Sequence, residues 1–392
     1  EIPLRLVGSE MCIRDSSRAE WGLLSRLARM IGNDPQLELQ IIATNMHLSP
    51  EFGLTYREIE KDGFTIDKKV EMLLSSDTAN ATGKSVGLAT IGFADAYEDL
   101  KPDLLVVLGD RYELLAALTA ALFYKIPIAH LHGGEITEGA YDDSIRHAIT
   151  KMSHLHFTST EEYRRRVIQL GEDPERVFNV GAIGIDNIRH MQLLKKEELE
   201  KSLHFSLTEK TVLVTYHPVT LETISAEEQI DNLLEALETF PNLNVIFTLP
   251  NSDTDGRIII RKINDFVKVN SRRSIAFPSL GQLRYFSVLQ YIHAVIGNSS
   301  SGILEVPSFG KFTLDIGERQ KGRLRADSIF HCGTGKNEIE NGIKEILELS
   351  LSPERSVGTN PYDKPETAFH IFHTLKTFPL TNIVCKHFYN LP

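Results

Sequence analysis

Short apolar runs recur along this chain, each followed by a stretch with helical spacing, and that alternation leaves few folds open. An unbroken run such as Leu104 to Leu108 has no polar face, so it reads as a strand buried on both sides. Strands of that kind belong to parallel sheets, whose connections are long enough to hold a helix. In the first half the strand candidates are Leu39 to Ala43, Leu104 to Leu108, Ile126 to Leu131, Leu155 to Thr158 and Val177 to Val180. In the second half they are Thr211 to Tyr216, Asn244 to Thr248, Ile275 to Phe277, Ala294 to Ile296 and Phe312 to Asp315. The expected fold class is therefore α/β, in two similar halves.

The least strand-like stretch runs from about His190 to Lys210 and contains Lys195-Lys196-Glu197-Glu198, the pattern of a solvated helix and linker. The domain boundary is placed there, giving a first domain over residues 1–190 and a second over 191–365. A final helix, Glu366 to Phe378, follows the Pro-containing segment Asn360 to Pro365, and residues 366–380 are expected to pack back on the first domain. One segment breaks the rhythm. An α/β domain should open with an apolar strand, yet the apolar run in Glu1 to Ser16 is short and interrupted, so residues 1–16 are expected to be foreign to the native chain. A foreign start would leave the first domain without its first strand, misplace Arg18 and impair turnover.

The 53 acidic against 42 basic side chains give a net charge of −11, which repels nucleic-acid phosphates; an anionic ligand would need a local basic site. Cys12, Cys332 and Cys385 form no paired motif, so neither a disulfide framework nor a structural metal is indicated, and the reducing cytoplasm is the expected location. No apolar run reaches the length of a membrane span, and the N-terminus lacks the basic-then-apolar order of a secretory signal.

Two fragments, Gly83-Lys84-Ser85 and Gly335-Lys336, imitate the end of a phosphate loop, but Thr78 and Phe330 stand where its first glycine is required. They read as chance matches. No Gly-x-Gly-x-x-Gly follows a strand, so nicotinamide chemistry lacks its usual support.

Three strand ends carry polar groups where open α/β sheets bind ligands. At the first, Gly109-Asp110-Arg111 follows Leu104 to Leu108; Asp110 is either a catalytic carboxylate or the cap of the next helix. At the second, His130-Leu131-His132-Gly133-Gly134-Glu135 leads to Glu138, Asp142, Asp143, Arg146 and His147. Burying so many polar groups for structure alone would cost several kcal/mol each. The carboxylates are expected to push one another's pKa values apart, giving a protonated acid and an ionised base. At the third, Gly297-Asn298-Ser299-Ser300-Ser301-Gly302-Ile303-Leu304-Glu305 offers hydroxyls and backbone N–H groups at a helix start, either a phosphate site or an ordinary cap run. Glu305 would lie one turn further in, placed for a ribose diol. Arg18, His217, Arg319 and Arg323 also follow strands.

Taken in order, Ser17-Arg18-Ala19-Glu20-Trp21-Gly22, Gly109-Asp110-Arg111-Tyr112-Glu113, His132-Gly133-Gly134-Glu135 with Asp142-Asp143-Ser144-Ile145-Arg146-His147, His217-Pro218-Val219-Thr220 and Gly297 to Gly302 resemble the hydrolysing UDP-N-acetylglucosamine 2-epimerases of sialic-type acid biosynthesis. The resemblance runs from about residue 17 to the end of the chain. It implies two Rossmann-like domains facing a central cleft, as in GT-B glycosyltransferases, a UDP-sugar ligand, no metal, no cofactor and a homo-oligomer, dimer or tetramer. It also implies a two-stage reaction, elimination of UDP to a 2-acetamidoglycal followed by hydration to the free epimer.

By the same resemblance Asp110 and Asp142 are catalytic carboxylates flanked by Arg111 and Arg146. His217, Ser299, Ser300, Ser301, Glu305 and Arg319 serve the nucleotide and diphosphate, Arg18 a phosphate, and His47 the substrate. The human-type and non-hydrolysing relatives carry a catalytic Glu where this chain has His132. An imidazole with an ordinary pKa of about 6.5 can act as acid or base, and Glu135 is the alternative. The resemblance implies UDP-N-acetylglucosamine as substrate and N-acetylmannosamine as product; His132 brings in a 4-acetamido-4,6-dideoxy analogue as the alternative sugar. A non-hydrolysing epimerase would carry Glu-Ala-Gly-Leu-Arg in place of His132-Gly133-Gly134-Glu135, a glycosyltransferase would need an acceptor surface here occupied by acids, and a non-catalytic sensor would lack Asp110 or Asp142.

Overall fold

The computed structural model describes residues 9–15, 18–74, 76, 78–138, 141–219, 224–250, 256–349 and 358–392, with residues 9–15 and 18–20 followed by their backbone. The chain forms two compact units. The first comprises Glu1–Glu135, Asp142–Asn187 and Lys364–Pro392; the second comprises Ile136–Tyr141 and Ile188–Asp363.

In chain order the first unit holds β1 (Ser9–Asp15), α1 (Arg18–Gly32), β2 (Leu37–Thr44), α2 (Tyr56–Lys61), β3 (Lys68–Val70), α3 (Ala79–Leu100), β4 (Leu104–Leu108), α4 (Tyr112–Phe123), β5 (Ile128–Leu131), α5 (Asp142–Met152), β6 (Leu155–Thr158), α6 (Glu161–Gln169), β7 (Val177–Asn179) and the start of α7 (Ile183–His190). The second unit holds α8 (Lys196–Leu203), β8 (Thr211–Thr215), α9 (Ala226–Glu238), β9 (Asn244–Thr248), α10 (Gly256–Val269), β10 (Ser274–Phe277), α11 (Gly281–Tyr291), β11 (Ala294–Gly297), α12 (Ser300–Leu304), β12 (Phe312–Ile316), β13 (Ile329–Cys332) and α13 (Lys336–Leu349). The last helix, α14 (Thr367–Thr377), returns to the first unit.

Both sheets are parallel throughout, ordered β3-β2-β1-β4-β5-β6-β7 and β10-β9-β8-β11-β12-β13. Alternating side chains fill the layers on either side. Leu104, Val106 and Leu108 of β4 join one core with α1, while Leu105 and Val107 join the opposite one with α3 and α4. Val212 and Val214 of β8 divide from Leu213 in the same way. In each sheet the winding direction reverses once, between β1 and β4 and between β8 and β11. At such reversals the two following loops run apart and leave a crevice at the carboxyl edge of the strands.

The expectation that the first unit lacks its opening strand is corrected. Ser9–Asp15 lies at the centre of the sheet, pairing with β2 from Ser9↔Leu37 to Asp15↔Ala43 and with β4 from Met11↔Leu104 to Ile13↔Val106. Its side-chain pattern is poor, but strand pairing is made by backbone N–H and C=O groups. A slot between two buried strands demands those groups whatever the side chains are.

Two anchors hold the C-terminal segment. Asp186 of α7, fully buried, is paired with Arg26 of α1 and accepts the N–H of Ala368 in the first turn of α14 at 3.0 Å. Further on, Lys386 donates to the carbonyls of Lys151 (2.9 Å) and Ser153 (2.6 Å) and to Glu172 (2.6 Å), while Tyr389 N–H donates to Gly171 O at 2.9 Å. Buried Glu172 also accepts from Lys151 and from His156. Burial alone would raise the Glu172 carboxyl, but the hydrogen bonds from His156, Lys151 and Lys386 hold it at about 2.

Candidate active site

Gly109, at φ +82°, turns the chain sharply after β4. His130 on β5 fixes that turn: its Nε2–H donates to Gly109 O at 2.8 Å and its Nδ1 accepts from Thr150 at 3.3 Å. The ring is wholly buried, and burial pushes its pKa down to about 3 despite the Gly109 carbonyl. His154, at the start of β6, is pushed by burial to about 4, and buried His156 is lowered for the same first reason.

These imidazoles make the fold acid-sensitive. Unfolded, each binds a proton below about pH 6.5; folded, His130 and His154 stay neutral down to about 3 and 4. Between those limits the unfolded chain binds more protons, so stability is full above pH 6.5 and falls as pH falls. Taking the protein from pH 7.5 to pH 5 is expected to lower its unfolding free energy by on the order of 3 kcal/mol. Urea midpoints at the two pH values check this; equal midpoints would refute it.

Asp110 does not cap α4. The cap position is Arg111, without a side-chain cap bond, and Asp110 instead pairs with Nη2 of Arg146, a guanidinium left only 2% exposed. Nη1 of Arg146 stands 3.7 Å from Asp143, which also lies 3.5 Å from His147. One buried guanidinium thus reaches both Asp110 and Asp143. Asp142 opens α5 one turn before Arg146. Arg111 is braced by buried Glu113, Nε to Oε1 at 2.9 Å, and touches Met46.

One strand over, Nδ1 of His132 lies 2.9 Å from Glu135, whose same oxygen accepts from Ser159 at 2.9 Å, and Ile183 N–H points at Nε2 from 3.4 Å. Glu138 is not part of this cluster. It belongs to the second unit, where its N–H faces Lys321 O beside Arg323, which holds Ile136 O and Thr137. His47 is fully buried, and its Nδ1 lies 2.8 Å from the Thr55 hydroxyl, so the ring braces the turn after β2. The Arg18 side chain lies outside the described residues, although its backbone opens α1.

In the second unit the strand reversal carries its own group of polar residues. Asn298 clips the ends of β11 and β8 together, its Oδ1 accepting from His217 N–H at 2.7 Å and its Nδ2 donating to His217 O at 2.8 Å. Its own carbonyl accepts from Arg319 (3.0 Å) and Gln320 (2.8 Å). Ser299 precedes α12 without capping it, and neither its hydroxyl nor that of Ser300 bonds to any described residue. Ser301 accepts from Tyr285 at 2.7 Å, and burial raises the Tyr285 hydroxyl pKa far enough to keep it protonated. Glu305 follows α12, almost buried. With five residues α12 has little macrodipole, so hydroxyls and single N–H groups carry what the helix end was expected to supply.

The two phosphate-loop imitations are excluded by geometry. Gly83 to Ser85 lies inside α3, and Gly335 N–H already bonds to Glu338 at 3.3 Å. Among the described residues no group of His, Cys, Asp or Glu is arranged to hold a metal, and no helix is long and apolar enough to cross a membrane.

With both strand reversals lined this way, comparison with known proteins decides the relationship. The UDP-N-acetylglucosamine 2-epimerase family profile matches residues 29–376. The chain belongs to this family. Its relatives include the Campylobacter jejuni GDP/UDP-N,N'-diacetylbacillosamine 2-epimerase (hydrolyzing), 45% identical over 383 residues, 97% of this chain and 99% of the relative. The Escherichia coli polysialic acid biosynthesis protein P7 is 39% identical over 378 residues, 96% of each. A Neisseria meningitidis UDP-GlcNAc 2-epimerase, solved with UDP-GlcNAc bound, shares the fold at TM-score 0.80 and 17% identity, covering 93% of this chain and 99% of that one. The family fold is thus two Rossmann-like halves of the GT-B type, as the strand pattern and the resemblance led one to expect.

What the sequence did not disclose are the supporting residues. Ser159, Tyr285 and Gln320 carry no motif, and each meets the polar groups at a strand end through a partner distant in the chain.

Proposed function

We propose that this protein is a hydrolysing 2-epimerase of nucleotide 2-acetamido sugars, releasing UDP and the free 2-epimer in the cytoplasm on a route to sialic-type acids. The observation that carries the reading is the pairing, at the carboxyl edge of one sheet, of a carboxylate held by a buried guanidinium (Asp110–Arg146) with an imidazole held by a carboxylate (His132–Glu135). Epimerisation through an alkene needs two proton-handling groups, one for each face of C2, and these two pairs are suited to the task.

In elimination a base takes the C2 proton, the C2–H electrons form the C1=C2 bond, and the C1–O bond breaks with UDP leaving on its oxygen. In hydration water adds its oxygen to C1, losing a proton to a base, while an acid delivers a proton to the other face of C2. Asp110, Asp142 and His132 share the proton transfers, with Glu135 against the His132 ring; Arg111 and Arg146 hold the carboxylates. The first unit is the catalytic half. The second binds UDP: Ser299, Ser300 and Ser301 on the diphosphate, Glu305 on the ribose, His217 and Arg319 beside them, with Arg18 a further phosphate contact. No metal or nicotinamide is required by this chemistry.

For the sugar, the N,N'-diacetylbacillosamine named for the 45% identical relative and for a 34% identical one from Legionella pneumophila favours the 2,4-diacetamido-2,4,6-trideoxy sugar over N-acetylglucosamine. Incubation with each UDP-sugar in deuterated water, followed by NMR, tests the reading. Free UDP with deuterium at C2 of a free sugar is expected, fastest with the diacetamido substrate. A UDP-linked epimer, or no turnover of either, would overturn it.

We also propose a homo-oligomer. The packed pair α3 and α4 leaves Ile91 64% and Phe123 81% exposed, with Leu88 one helical turn before Ile91 and Leu122 next to Phe123 also exposed, apolar groups a partner copy could cover. The double variant Ile91→Glu/Phe123→Glu is expected to sediment as a monomer where the parent does not. A monomeric parent would remove the proposal.

A further inference from the structure

We infer that His132 is held as its Nδ1–H tautomer, with the Nε2 lone pair as the atom that exchanges a proton with the sugar, and that Glu135 and Ser159 are the positioning residues that hold it so. The inference rests on the reading above of His132 as a proton-transfer residue, and deepens it. A backbone N–H can only donate. Ile183 N–H faces Nε2 at 3.4 Å, so Nε2 carries the lone pair and the proton sits on Nδ1, 2.9 Å from Glu135 Oε1. That same oxygen accepts from Ser159 Oγ at 2.9 Å, so the carboxylate is gripped from the side opposite the ring. Glu135 is 3% exposed and Ser159 not at all, which removes water as a competitor for either bond.

The backbone is fixed as firmly as the side chains. His132 adopts φ +65°, a left-handed conformation unfavourable for a non-glycine residue. It is held there by His132 N–H to Phe157 O (2.8 Å) and by Arg166 on Gly134 O (2.6 Å). Gly134, at φ +78°, leaves no room for a side chain, since a Cβ would meet Tyr163 O at 2.5 Å. Strain over-determined from several directions is typical of groups whose orientation matters to chemistry.

The Ile183 contact is long, so it selects the tautomer without closing Nε2 to a stronger partner. Ile183 is also the first residue of α7, so its N–H lies in the first turn and has no helical carbonyl to bond. The ionisable groups on the flanking elements are committed elsewhere: Asp110 to Arg146, Asp186 to Arg26, Arg166 to Glu162 and Gly134, and His130 and His156 buried in neutral form. Glu135 is the carboxylate in contact with the ring. When Nε2 takes a proton from C2, the resulting imidazolium shares its charge with Glu135, as in other carboxylate–histidine pairs.

The test combines kinetics with a direct view of the ring. In ¹⁵N NMR of the intact protein at pH 7.5, the His132 resonance, assigned by its loss in His132→Ala, should show a protonated Nδ1 and an unprotonated Nε2. The reverse tautomer would overturn the inference. In kcat–pH profiles Glu135→Gln should lower the ring's apparent pKa and reduce kcat by about 10–100-fold with KM little changed. Ser159→Ala, which leaves the carboxylate more charge to share with the ring, should raise that pKa, and Ser159→Thr should restore it. Profiles for Glu135→Gln and Ser159→Ala that overlay the parent, with His132→Ala inactive, would sink the positioning roles alone. An active His132→Ala would instead sink the reading on which they rest.

Discussion

Asp110→Asn should lower kcat by about 10²–10⁴-fold while UDP binds nearly as tightly as to the parent. The substitution keeps shape and hydrogen-bonding reach but removes the negative charge that faces Arg146, and with it a proton acceptor at the end of β4. The residues proposed to bind the nucleotide, His217, Ser299, Ser300, Glu305 and Arg319, belong to the second unit and are untouched. Arg146 keeps Asp143 within 3.7 Å, so the guanidinium is not stranded and the fold should survive. Calorimetric titration with UDP beside steady-state turnover separates the outcomes. Loss of UDP binding would make Asp110 a structural residue, and unchanged turnover would remove it from the chemistry.

The second large effect concerns the other unit. At Gly297 the backbone has φ +136°, and a Cβ would lie 1.9 Å from the carbonyl oxygen of Thr215 on the neighbouring strand. No rotamer relieves that clash, because both partners are main chain. Gly297→Ala must therefore push β11 from β8 where Asn298 holds them together, at an expected cost of about 3–5 kcal/mol in stability. Denaturant unfolding should register the loss, and UDP binding should weaken well before the protein unfolds. A variant as stable as the parent, with normal UDP affinity, would mean that the reversal between β8 and β11 tolerates rearrangement and is not the nucleotide site.

Much of the architecture was legible because buried parallel strands announce themselves. Leu104 to Leu108 and Thr211 to Thr215 are apolar on both faces or nearly so, and both were found within a residue of their observed ends. The strands that escaped notice lack that signal for physical reasons. β3 is a three-residue edge strand carrying Lys68 and Lys69, the kind of charged, short edge that resists pairing with a further chain. β13 likewise closes the other sheet with His331 and Cys332 in a half-exposed position. β1 is specified by its neighbours more than by its own residues.

The candidate site divides along similar lines. Asp110, His132 and Asn298 stand at strand ends, where polar residues after an apolar run are conspicuous. Their roles were less visible. That Asp110 pairs with Arg146 and does not cap α4 depends on a contact across 36 positions, and that Asn298 clips His217 depends on one across 81. Strand order is set by pairing between distant segments, so the reversal points could not be located before the sheets were seen. The same holds for Ser159, whose only local mark is that it follows β6.

The return of residues 364–392 to the first unit bears on how the molecule comes into being. During synthesis the second unit, Ile188–Asp363 with the loop Ile136–Tyr141, has nearly all its chain before α14 exists. The first unit, although begun earlier, waits for the partner of Asp186 and for the lysine that joins Glu172. Domains complete themselves as their segments emerge, so the half that is begun first is the half that is finished last. Until then buried Asp186 and Glu172 lack the hydrogen bonds that Ala368 and Lys386 bring to them.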